Sequence, residues 1–124
     1  MKDEAGKWLK QAKADLRTAR NSLKSKDFYA SVFWSQQAVE KSLKAVIIEK
    51  IGELIKIHDL VILGRKSAIP DKLSIDCERL SKIYIDSRYG VIDNEIPAEK
   101  FGKKEADEFL KIARSILKWC EKEI

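Results

Sequence analysis

FWSQQAVEKSLKA, running from Phe33 to Ala45, is the stretch whose reading decides the fold. It holds no Gly or Pro, and Val39, Leu43, Val46 and Ile47 follow one another at helical steps. Extended outward, the pattern predicts a long helix over about Phe28 to Lys50, with Phe28 and Val32 on the same inner face. Asp27 is placed to accept backbone N–H groups at its start, and Gly52 to stop it. One residue breaks the pattern. At about 100° per residue, Glu40 projects between Phe33 and Ile47, inside the apolar arc. A carboxylate there is costly unless paired or hydrogen-bonded. Lys44 follows it by one turn and Gln36 precedes it by one turn. Two readings stay open: a satisfied structural pair, on the surface if the helix is rotated slightly, or the polar wall of a cleft.

Upstream, Ala5, Trp8, Leu9, Ala12, Leu16, Ala19 and Leu23 recur at steps of three and four and predict an amphipathic helix from about Glu4 to Lys24. Lys10, Lys13, Arg17 and Arg20 take its other sides. The break at Ser25-Lys26-Asp27 is so short that the two helices must be antiparallel neighbours.

Downstream the pattern is less regular. Leu54, Ile55, Ile57, Leu60, Val61 and Leu63 keep the stretch apolar, and a short helix is expected from about Asp59 to Ser67 after a loop, with a strand through Leu54 to Ile57 as the alternative. Pro70 suits the first turn of a further helix that buries Leu73, Cys77, Leu80, Ile83 and Tyr84. Gly90, Asp93-Asn94, Pro97 and Gly102 make 87–102 mostly loop, and a loop that long is often functional. Ala106, Phe109, Leu110, Ala113, Ile116, Leu117 and Cys120 define a last helix from about Lys103 to Lys122. The expectation is one all-α domain over residues 1–124, an up-and-down bundle of four or five helices.

The chemistry is narrowed mainly by inventory. His58 is the single histidine, and Cys77 and Cys120 are distant helix-stripe residues read as buried thiols, so no metal site is expected. The five glycines form no phosphate-cradling motif, and no cofactor is expected. Apolar runs such as Ala45 to Ile48 fall far short of the roughly 20 residues of a membrane span, and Met1 is followed by Lys2, Asp3 and Glu4 rather than a leader, so a cytoplasmic protein is expected. A net charge of +5 is compatible with a phosphate-bearing partner, although Lys and Arg alternate with Glu and Asp nearly everywhere. Abundant Lys, Glu and Ile with little Asn and Gln hint at a hot habitat. His58, just before Asp59, either caps a helix or points into a cleft. Tyr84 and Arg88 stand one turn apart, with Tyr89 next. The Arg88 guanidinium can hold phosphate or carboxylate bidentately beside a stacking ring, or simply anchor the helix end.

Four pieces of this chain, in order, resemble the HEPN family: Trp8 through Ala12 to Asp15-Leu16, then FWSQQAVEKSLKA, then His58-Asp59-Leu60, then Arg88-Tyr89. The resemblance spans about Trp8 to Tyr89. It implies a helical bundle, often a homodimer, frequently paired with a minimal nucleotidyltransferase in a toxin–antitoxin system and acting around nucleotides or RNA. It also implies a polar set of Glu40, Lys44, His58, Arg88 and Tyr89 as ligand-binding residues, with Lys44 and Arg88 toward phosphate and Tyr89 near a base or sugar. Many relatives are metal-independent RNases that carry an Arg followed after four to six residues by His. Here Ile51, Gly52 and Glu53 stand where that Arg would precede His58, and no histidine follows Arg88. Without that Arg–His arrangement the usual acid–base agent is missing, and binding rather than catalysis is expected.

Overall fold

In a computed structural model the chain is described over residues 2–88 and 95–124, the side chains of 84–88 excepted. Over those residues it forms six helices: α1 (Asp3–Lys24), α2 (Phe28–Ile51), α3 (Leu60–Lys66), α4 (Asp71–Arg88), α5 (Pro97–Lys100) and α6 (Lys103–Glu123). The fold is an all-α bundle, as the apolar periodicities require. Leu54 to Ile57 forms no strand. Helix α2 is central. Fifteen of its residues are buried, on every side of the helix, because α1, α3, α4, α5 and α6 all pack against it.

Small residues set the closest of these packings. Ala5, Ala12 and Ala19 of α1 recur every seven residues, and Ser31, Ala38 and Ala45 of α2 do the same. All six are fully buried. The antiparallel register is fixed at one end by Ser31 Oγ, which donates to the Ala19 carbonyl at 2.8 Å. At the other end Lys2 donates through Nζ to the Ile48 carbonyl at 3.3 Å. Side chains this short let two backbones approach closely, and the chain gives nothing larger at those steps. Helix α6 lies along the seam. Leu117 packs on Ala12 and Ala38, while Ile116, Ala113 and Phe109 join the main core with Val39, Leu43, Val46, Leu60, Leu63 and Leu80.

The helix ends carry most of the differences from expectation. Asp27 does not cap α2 with its side chain. Its Oδ2 accepts from Ser25 Oγ at 3.0 Å, inside the turn itself. Gly52 does end α2, with φ 85° and its N–H on the Ile48 carbonyl. Helices α1 and α3 close with the same device. Asp27 N–H reaches Ser22 O and Lys26 N–H reaches Leu23 O; Ile69 N–H reaches Gly64 O and Ala68 N–H reaches Arg65 O. These are Schellman closures, which put one residue in the left-handed region. Lys26 (φ 65°) and Ala68 (φ 60°) occupy those positions without being glycine. Pro70 sits just outside α4, its carbonyl accepting from Leu73 and Ser74, rather than in the first turn. The stretch expected to be mostly loop is helical through Arg88 and again over Pro97–Lys100, and Phe101 is buried in the core. Cys77 and Cys120 are buried, as their stripe positions predict. The burial expected of Tyr84 falls outside the described side chains.

Candidate functional site

The carboxylate that breaks the apolar arc of α2 is buried and fully engaged. Glu40 is 4% exposed. Its Oε2 receives Lys44 Nζ at 3.1 Å, and both oxygens lie 3.1 Å from His58 Nδ1. Gln36 Nε2 approaches Oε1 at 3.5 Å, and Gln37 Nε2 donates to Gln36 Oε1 at 2.7 Å. Lys44 is as buried as its partner, and its ammonium stands 5.7 Å from the Trp8 ring centroid, a cation–π distance. Three elements therefore meet at this point. Helix α2 supplies a Glu and a Lys on one face, α1 supplies the ring, and the segment ahead of α3 supplies the imidazole.

The histidine is positioned by its neighbour. Asp59 caps α3, with Oδ1 accepting from Val61 N–H at 2.9 Å and Ile62 N–H at 3.4 Å. That leaves His58 outside the helix and turned back on α2 against Glu40, so it is Asp59 and not His58 that caps α3. A carboxylate accepts only from a protonated nitrogen, so Nδ1 carries the proton in this contact. In the neutral ring the remaining lone pair is then on Nε2. Half of the His58 side chain (53%) is exposed, whereas Glu40 and Lys44 are not. The imidazole is thus the part of the cluster that solvent or a ligand meets first.

Beside Trp8 a shallow groove of about 250 Å³ is lined by Lys7, Trp8, Gln11 and Lys41. Lys41 is tied to Asp15, itself buried and held by Gln11 Nε2 at 2.9 Å, and its ammonium stands 5.9 Å from the Trp34 ring centroid. Lysine and tryptophan thus alternate along the exposed junction of α1 and α2. Trp8, Gln37 and Lys41 were not among the expected site residues. Trp8 reads in sequence as an ordinary member of the apolar stripe of α1, with no signal of its contact with Lys44.

Of the five expected residues, Glu40, Lys44 and His58 come together in one cluster. Arg88 is the last residue of α4, with its side chain outside those described, and Tyr89 lies outside the described residues altogether. Among the described residues no three His, Cys, Asp or Glu side chains could hold a metal ion. No helix among them is long and apolar enough to cross a membrane.

Comparison with known proteins follows the same residues. The chain is 30% identical to Putative toxin MJ1304 of Methanocaldococcus jannaschii, over 89% of this chain and 81% of that protein. The crystal structure of TT1696 from Thermus thermophilus superposes with a TM-score of 0.90 at 30% identity, covering 99% of this chain and 100% of that one. That of ST0689, an archaeal HEPN homologue, superposes with a TM-score of 0.81 at 30% identity, covering 98% and 97%. The family model of the HEPN domain matches residues 5–123, nearly the whole bundle, and the chain belongs to the HEPN domain family.

Proposed function

We propose that this chain is the HEPN component of a toxin–antitoxin-like pair in the cytoplasm, a homodimer that binds a nucleotide or a minimal nucleotidyltransferase partner through Glu40, Lys44, His58, Arg88 and Tyr89. The observation that carries the reading is the Glu40 cluster. A buried carboxylate holding a lysine and a half-exposed imidazole is a costly arrangement for stability alone, because apolar residues of equal volume pack as well or better. The relative that bears the name Putative toxin MJ1304 supports the two-component setting. Charge is consistent, since a chain at +5 favours phosphate-bearing ligands. The test is a titration of ATP, GTP and short RNAs against wild type, His58→Ala and Arg88→Ala. Both variants are expected to bind at least about tenfold more weakly, the loss of one charge-assisted contact. Affinity unchanged in both would sink the reading.

A second reading, a metal-independent RNase, is favoured by one observation. A carboxylate fixing Nδ1 of an imidazole is how acid–base histidines are oriented. Incubation with labelled RNA in EDTA separates the two. No cleavage is expected, and cleavage abolished by His58→Ala would establish the second reading instead.

A further inference from the structure

We propose that a second, separate site lies at the α1–α2 turn and takes the phosphates of a nucleotide or of an RNA strand. The cleft there has a volume of about 280 Å³ and is lined by Leu23, Lys24, Lys26, Phe28 and Lys103. It is far from the Glu40 cluster. Phe28 and Glu40 are twelve residues apart on one helix, which places them about 18 Å apart along its axis.

Three lysines from three segments share this cleft: the end of α1, the turn and the start of α6. What sets these three apart is that they share one concavity, whereas other unpaired lysines such as Lys72, Lys118 and Lys122 line neither this cleft nor the groove beside Trp8. Some cations elsewhere are matched. Lys7, Lys13, Lys41, Lys44, Lys50, Arg79 and Lys111 each reach a carboxylate. Among the described residues Lys24, Lys26 and Lys103 reach none. The acids nearest in sequence are turned elsewhere. Asp27 accepts from Ser25 Oγ, and Glu105 accepts from the Gly102 N–H at 3.0 Å. Like charges gathered around one concavity raise its potential, and an anion relieves that repulsion. Leu23 and Phe28 give the same cleft an apolar floor, on which a sugar or base can lie while its phosphate meets the ammonium groups.

The backbone at the turn is also unusual. Lys26 occupies a left-handed position that a Schellman closure normally gives to glycine.

The test combines localisation with affinity. Inorganic triphosphate, ATP and a single-stranded RNA decamer are titrated into the isotopically labelled full chain. Amide NMR signals of Leu23, Lys24, Lys26, Phe28 and Lys103 are expected to move. Equal shifts with triphosphate and ATP assign recognition to phosphate alone, and tighter binding of ATP or RNA adds the apolar floor. Both outcomes support the site. For RNA, three neutralised phosphates predict a slope of about −2 in log K against log salt. The variant K24Q/K26Q/K103Q is expected to weaken RNA binding about tenfold or more, whereas K72Q/K118Q/K122Q, which removes the same charge from other exposed lysines, changes it by less than about threefold. Silent amides at the turn, or equal losses in the two variants, would overturn the proposal. Lys26→Gly keeps the fold testable. It is expected to raise Tm by about 4 °C while lowering affinity, and a higher Tm with unchanged affinity also overturns it. Arg88→Ala, aimed at the Glu40 cluster, should leave the turn amides responding as in wild type, so the two sites stand or fall separately.

Discussion

At the residue scale, Glu40 shows how far sequence carries. Its misplacement on the apolar arc was visible in periodicity alone, and so was its lysine one turn away. What periodicity left open was whether the pair faced solvent or core, because a helix rotated by a few tens of degrees exchanges the two. The packing of α1 settles it, with Trp8 over Lys44 and both charges about 5% exposed. Removing one partner therefore strands a buried charge. Lys44→Met is expected to lose about 3 kcal/mol in denaturant unfolding. Glu40→Gln with Lys44→Met should lose less than the two single losses combined, since neither then leaves an unmatched charge. Ala68, left-handed at the end of α3, gives the opposite sign. Ala68→Gly is expected to stabilise the protein by about 1 kcal/mol in the same assay.

Helices as elements were legible because each long one has a regular apolar stripe and a glycine, proline or polar break near its ends. Exact termini were less so, because capping depends on which acceptor a side chain finds first. Asp27 chose Ser25 rather than α2, whereas Asp59 chose α3 and thereby freed His58 for Glu40. No local rule separates these two aspartates. The alanine–serine seam was hidden for another reason. Ala5, Ala12 and Ala19 looked like ordinary stripe members until Ser31, Ala38 and Ala45 were found facing them. The seam makes a sharp prediction. Ala38→Leu adds three carbons between Ala12 and Leu117 and is expected to cost about 3 kcal/mol or to splay α1 from α2, readable as a lower Tm. Arg88 and Tyr89 were singled out by the one-turn spacing of Tyr84 and Arg88 as well as by the resemblance, and the binding titration tests their roles.

Across the whole molecule, the two thiols tie stability to alkaline pH. Desolvation pushes Cys77 from 9.0 up to about 12, with Asp76 adding to it. Desolvation does the same to Cys120, also to about 12, against a smaller opposing hydrogen bond from Ser42. Between these limits the unfolded chain has released protons that the folded one retains, so folding weakens as pH rises. Below about pH 9 the contribution is complete, and above it each thiol removes about 1.4 kcal/mol per pH unit until the folded form ionises. Denaturant midpoints measured from pH 8 to 11 should fall. They should fall less steeply in Cys77→Ala/Cys120→Ala, and an equal slope would remove the thiols from the cause.

The central position of α2 governs how this molecule opens. A helix that every other helix leans on has no private unfolding route: α1, α3 or α6 can peel away at their own cost, but α2 is bared only when all of them leave. Its inner amides therefore exchange with solvent at the rate of the slowest, global event. Glu40, Lys44 and Gln36 ride on that part of the chain. Their geometry is as persistent as the fold itself, and in the proposed binding any give that admits a ligand comes from the segment carrying His58.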